Sequence, residues 1–296
     1  TIQKGASTAV AGDTVYIKVG NYGQEYVVIS NSGAAGNPIV FQGYNGTPVL
    51  DGQNRTGTGF YMNSKDYIEI INIKLTLYMD CLVVDAAEYV TLDSIVVDTC
   101  GGLDCSGVGI LIRESNYCNV RNCRVTDAGG VNISIEESNF NIVENCQTYS
   151  AKTDGYETDY YITIHLGHDN IIRNCLSHTL NSAVAGVHHG HGIGIYGEDS
   201  SLTCYNNKII DCVTRGGGPF EVERKAHDNE FINCTAYHDN INGWSAAIVV
   251  LDGAYDNTFK NCRIVGRYDA GIILDNTWPT DSLVQHNNTF LNCIMD

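Results

Sequence analysis

The stretch "CNVRNC" at residues 118–123 returns six times along the chain in one form. The copies are "NIVENC" (141–146), "NIIRNC" (170–175), "NKIIDC" (207–212), "NEFINC" (229–234), "NTFKNC" (257–262) and "NTFLNC" (288–293). Their cysteines, Cys123, Cys146, Cys175, Cys212, Cys234, Cys262 and Cys293, are spaced 23, 29, 37, 22, 28 and 31 residues apart. A floor near 22 residues with longer intervals describes a fixed unit that accepts insertions. About ten residues upstream of most copies stands a second segment: "GVGILI", "GVNISI", "DYYITI", "GIGIY", "PFEVE", "AAIVV" and "AGIIL". Each alternates apolar and variable residues, the period of a strand with one buried face. The Asn before each cysteine (Asp211 in one copy) suits a left-handed turn, which Asn tolerates better than most residues.

Stacking such strand–turn–strand units places equivalent residues above one another at the ~4.8 Å strand spacing. That is an all-β solenoid, a right-handed single-stranded parallel β-helix. A leucine-rich repeat needs a Leu framework and a propeller needs four strands per unit, and neither pattern is present. The seven cysteines then form an inward stack, where a small apolar thiol packs well. No C-x-x-C pair occurs, which argues against a zinc site. Cys100 and Cys105 in "CGGLDC" could close a short disulfide loop or be two more packed thiols.

The 296 residues are expected to form one domain, with 1–52 as an N-terminal cap and first rungs and 53–296 as repeated rungs. "IQKGASTA" (2–9) fits a helical turn covering the end of the solenoid. The chain starts without Met or a leader-like segment and stops inside a rung, so it is expected to be a mature form or part of a longer protein. The net charge of −17 repels phosphate backbones, so nucleic acid is not an expected partner. No apolar run reaches the ~20 residues of a membrane span.

Inward positions of a β-helix are packed, so a site must lie on an outward face. Aligning the upstream strands gives one outward column of Arg113, Glu136, His165, Tyr196, Glu223, Leu251 and Leu274. Two positions earlier stand Leu111, Ser134, Thr163, Gly194, Glu221, Val249 and Ile272. The middle rungs thus gather Glu136, His165, Tyr196, Glu221, Glu223, Arg224 and Lys225. The longest unit adds His188, His189, His191, Glu198 and Asp199. Long insertions on a rigid scaffold are where function concentrates. Any one of these charges alone is an ordinary solvated residue; the group is what suggests a site. Glu221 and Glu223 alternate on one strand and face one side, a spacing suited to a hard cation such as Ca²⁺. Exposed aromatics, Tyr160, Tyr161, Tyr196, Tyr237, Trp244 and Trp278, could stack on sugar rings or pack under loops.

The opening "GDTVYIKVGNY" followed by "SGAAGNPIVFQGYNG" resembles the start of secreted β-helical polysaccharide lyases, the chondroitinase-B/alginate-lyase family and the related pectate lyases. The likeness covers the first ~50 residues, and the later rungs match only as generic β-helix. It implies a uronate-containing polysaccharide substrate, calcium and an extracellular or cell-surface location. Lys225, four residues before Asn229, is similar in placement to that family's catalytic lysine, with glutamates upstream for calcium. The family's arginine in the next rung is absent, since this chain has Leu251, Asp252 and Gly253 there, and its glutamates sit farther from the lysine. "GHGIGIYG" (190–197) and "DYYITIHLG" (159–167) are similar to polygalacturonase segments, but Tyr160 stands where the second aspartate belongs and Arg224-Lys225 lacks an intervening residue.

The expected activity is therefore β-elimination on a polysaccharide. Lys225 or Arg224 would be the base, and His191 or Tyr196 the proton donor. Glu221 and Glu223 would be cation ligands, with Glu136, His165, Arg113, Glu198 and Trp244 holding substrate. A glycoside hydrolase on the same scaffold, or a non-catalytic adhesive or fibre module that binds glycans, are the alternatives.

Overall fold

The computed structural model describes residues 1–102, 106–150, 160–179, 191–198, 204–216, 218–238, 246–266, 270–275 and 286–296. Among these, every repeat unit contributes one strand to each of three parallel sheets. Sheet A has eleven strands, and sheets B and C have ten each. One rung shows the plan. Tyr160–His165 lies in sheet C, Ile171–Arg173 in sheet A and Leu176–Thr179 in sheet B. The same order repeats one rung later through parallel pairs Ile162↔Ile193, Ile172↔Ile209 and Ser177↔Thr214.

The turn between sheets A and B is built as the sequence suggests. Asn122, Asn145, Asn174, Asp211, Asn233, Asn261 and Asn292 all have φ between 52° and 55°. The next residue in each unit is the cysteine, whose side chain enters the core. Cys123, Cys146, Cys175, Cys212, Cys234 and Cys262 are 0–3% exposed, and Cys293 in the last rung is partly exposed. Cys100 is a buried free thiol beside Cys81, while Cys105 lies outside the described residues.

The first Asn of the repeat has a separate job, which its position alone does not announce. Asn141, Asn170, Asn207, Asn229, Asn257 and Asn288 form an internal ladder. From Asn170 on, each side-chain oxygen accepts from the backbone N–H and the side-chain amide of the Asn one rung before it, at 2.9–3.1 Å. The five from Asn141 to Asn257 are buried, so the ladder satisfies polar groups that no water reaches, while Asn288 in the last rung is partly exposed. The unit starting at Cys118 begins it, its backbone N–H donating to Asn141.

A helix, Ile2–Thr8, stands where a helical turn is expected, with Thr1 accepting from the Lys4 N–H and Ile2 and Ala6 buried in the core. The last rung departs from the expected alignment by one residue. Leu251 pairs with Asp275 and Val249 with Ile273, rather than with Leu274 and Ile272. Ile272, Ile273 and Leu274 are all apolar, so alternation gives no purchase on the register there.

Candidate active site

Alternation on sheet C fixes what points outward. Ile133, Ile135, Ile162, Ile164, Ile193, Ile195, Phe220 and Val222 fill the core at 0–2% exposure. Between them stand two outward columns, Ser134–Thr163–Gly194–Glu221 and Arg113–Glu136–His165–Tyr196–Glu223, in continuous register. A third begins Val131–Tyr160–His191.

Two side chains converge on the Glu221 carboxylate. His191 Nδ1 lies 2.5 Å from Oε2, and the Tyr196 hydroxyl donates to the same oxygen. Tyr196 reaches it by folding back along its own strand over Gly194. A Cβ at residue 194 would lie 2.4 Å from the phenol oxygen and 2.5 Å from a ring carbon. Gly194 is therefore the gap that lets Tyr196 turn toward Glu221. Gly194→Ala is expected to displace that ring and abolish most turnover while circular dichroism stays that of the parent; an unchanged rate would show that the ring position does not matter. Tyr160 stacks on His191 with centroids 4.4 Å apart and meets Tyr196 edge-on at 5.1 Å.

Glu221 is fully buried, and its other oxygen, Oε1, has no hydrogen-bond partner among the described residues. Glu223, two residues on, is 9% exposed. Burial first, then the adjacent Glu221 charge, pushes the Glu223 carboxyl up to about 8, with Asp252 adding to the effect. Burial and the same two glutamates hold the Tyr196 phenol well above its ordinary range, so it stays protonated as a donor. One ligand atom each from His191, Glu221 and Glu223 lies within 4.8 Å of the others, a mixed nitrogen–oxygen set able to hold a cation.

Beside the cluster lies a cleft of about 170 Å³, floored by Ser134, Thr163 and Tyr160 and flanked by Glu136, His165 and Arg224. Ser134 donates to Glu136 at 2.9 Å and meets Thr163 at 3.1 Å. His165 sits 3.5 Å from Glu198. So Glu136, His165, Tyr196 and Arg224 share one cleft, with His191, Glu221 and Glu223 at its end.

Other expected residues are placed elsewhere. Lys225 does not line the cleft. It follows Arg224 in a left-handed turn (φ 53° and 59°), where strand alternation no longer governs direction. Arg113 is one rung beyond Glu136 and is held by Asp85 at 2.8 and 3.2 Å. Tyr161 is 1% exposed rather than an exposed sugar platform, and Arg215 covers the Tyr237 ring at 4.7 Å. His188, His189, Asp199, Trp244 and Trp278 lie outside the described residues. Sequence reasoning passed over Gly194, whose signal was a glycine two positions before an outward tyrosine, and Asp252, a turn residue.

A family model described as a right handed beta helix region matches residues 58–236 and 181–296, and the chain belongs to that family. Among solved structures it is similar to an alginate lyase from Paenibacillus sp. str. FPU-7, with TM-score 0.73 and 16% identity over 93% of this chain and 96% of that one. The pectate lyase Pel9A follows at TM-score 0.61 and 17% identity, over 94% and 74%. The catalytic domain of a GH87 alpha-1,3-glucanase aligns at 0.67 and 13% identity, over 95% of this chain but 54% of that one. At these identities the likeness establishes the fold. No curated protein matches the sequence significantly.

Proposed function

We propose that the chain is an extracellular carbohydrate-active enzyme that cleaves a uronate-containing polysaccharide by β-elimination on the outer face of sheet C. The observation that carries this is the convergence of His191 and Tyr196 on the buried Glu221 at the end of a polar cleft. The similar structures named as an alginate lyase and a pectate lyase support the substrate class.

Elimination needs the uronate carboxylate neutralised, the neighbouring C5 proton removed and the leaving oxygen protonated. Arg224, at the cleft wall, supplies a fixed positive charge for the carboxylate. His191 takes the proton. Glu221 accepting from Nδ1–H leaves the basic lone pair on Nε2, as an orienting carboxylate does for a general base. Arg224 is a poor base, because guanidinium does not lose its proton in proteins. Tyr196, kept protonated, gives its proton to the leaving oxygen.

The calcium expected from the sequence fits the residues present. The buried Glu221 Oε1 has no partner among the described residues, and Glu223 stands beside it as a second oxygen donor. Bound by these two, Ca²⁺ would supply positive charge to a substrate carboxylate and relieve the repulsion between the glutamates. It would also offset locally the −17 charge that repels a polyanion at long range.

Hydrolysis by the same carboxylates fits less well, because one of the pair would have to attack the sugar or activate a water against it, the other would have to protonate the leaving oxygen, and Glu221 is fully buried. The test is incubation with a panel of uronate and neutral polysaccharides, with and without a chelator. Ultraviolet absorbance from a new C4=C5 double bond, lost on chelation and restored by Ca²⁺, is expected. Reducing ends without that absorbance would identify a hydrolase, and binding without any turnover an adhesive module.

A further inference from the structure

Arg113 has a carboxylate on either side of it in the outward column of sheet C, and it engages only one. Asp85 is its register partner in one neighbouring rung and Glu136 in the other. Nε and Nη2 of Arg113 donate side-on to the two oxygens of Asp85, at 3.2 and 2.8 Å. Asp85 is itself fixed, buried at 8% exposure and accepting from the Tyr61 hydroxyl at 3.0 Å. A side-on fork uses one edge of the guanidinium and leaves the Nη1 edge, with further donors, facing away from Asp85. The Arg113 side chain is 42% exposed. Glu136, partly open to solvent, accepts from Ser134 at 2.9 Å and, among the described residues, forms no ion pair with Arg113. Its partner in the next rung, His165, lies against Glu198 instead. On sheet A the same one-rung spacing closes directly, Arg121 on Asp93 at 2.8 Å and Arg173 on Glu144 at 2.6 Å.

A held donor edge and an open carboxylate one rung apart, ~4.8 Å, suit a group that accepts from one and donates to the other. A sugar hydroxyl does both, whereas a carboxylate only accepts. Charge points the same way. Arg113 is balanced by Asp85, so Glu136 is left uncompensated, and a uronate laid over it would set like charges side by side. We infer that Arg113 and Glu136 form a subsite for an uncharged sugar, so that the substrate is a heteroglycan with uncharged sugars between its uronates rather than a homopolyuronate. This rests on the elimination reading above. The uronate that reacts lies at Arg224 and the His191–Glu221–Tyr196 cluster, and the uncharged sugar lies along the same cleft, two rungs or ~10 Å from Tyr196. Glu136 then sets specificity, while Asp85 and Tyr61 position Arg113.

The experiment compares kcat/KM, read by double-bond absorbance, for the homopolyuronates of the panel and for glycans that alternate uronate with an uncharged sugar. The parent is expected to favour an alternating glycan by ~10-fold. Glu136→Gln keeps the shape and the acceptor but removes the charge, so most of that preference is expected to disappear through faster cleavage of homopolyuronate. A residue that merely supports the fold would lower both rates together. Homopolyuronate cleaved as fast as any alternating glycan by the parent, or a preference that survives Glu136→Gln, would overturn the subsite while the absorbance still upheld elimination. No turnover of any glycan in the panel would overturn the elimination reading, and the subsite with it.

Discussion

His191→Ala is expected to lower kcat by about 10²–10⁴-fold, the range a positioned general base contributes. His191 is built into the site from three directions: its Nδ1 meets Glu221, Tyr160 stacks on its ring, and its strand is paired on both sides. Glu221→Gln should cost nearly as much although Glu221 is a positioning residue. The amide oxygen can still accept from both His191 and Tyr196, but it lacks the negative charge that stabilises the imidazolium formed when His191 takes the proton. The measurement is initial rate at saturating substrate, with thermal unfolding as the control for folding. Full activity of His191→Ala would remove His191 from the chemistry, and full activity of Glu221→Gln would remove Glu221 from positioning it.

Asn229→Ala is expected to destabilise the solenoid by ~4 kcal/mol, because four hydrogen bonds worth roughly 1 kcal/mol each are lost from its interior. The Asn229 side chain accepts from the Asn207 backbone and side chain, and donates to the Cys204 carbonyl and to Asn257. Its removal leaves the Asn207 N–H buried without another acceptor. Asn233→Gly in the same rung is the comparison. That residue holds φ 55° at the surface, a conformation glycine adopts without strain, so the expected cost is about 1 kcal/mol or less. Denaturant midpoints for the two variants check this, and equal shifts would show that the ladder is not a principal support.

Much of the fold was legible in "NIVENC" and its copies, because a β-helix repeats its chemistry at every rung. The turn Asn and the inward Cys were assigned correctly from spacing. The ladder Asn was not, since an Asn at a strand edge looks the same whether it faces solvent or amides above and below it. Alternation also brought Glu221, Glu223 and Tyr196 to one face, while His191 was placed beside them by the long insertion and not by alternation. It could not show that the outward glutamates are buried, because alternation sets direction and not what crosses the face. Nor could it follow Arg224 and Lys225, which fall after the strand has ended in residues of positive φ. The back-folded Tyr196 depends on an absent Cβ at Gly194, a contact between neighbours that periodicity does not encode.

An elimination at the His191–Glu221–Tyr196 cluster adds no water to its products. Running the reaction on a uronate polysaccharide in oxygen-18-labelled water tests it most directly. Products one water lighter than hydrolysis fragments, free of the label and absent with His191→Ala, are predicted. Saturated products carrying the label would contradict it.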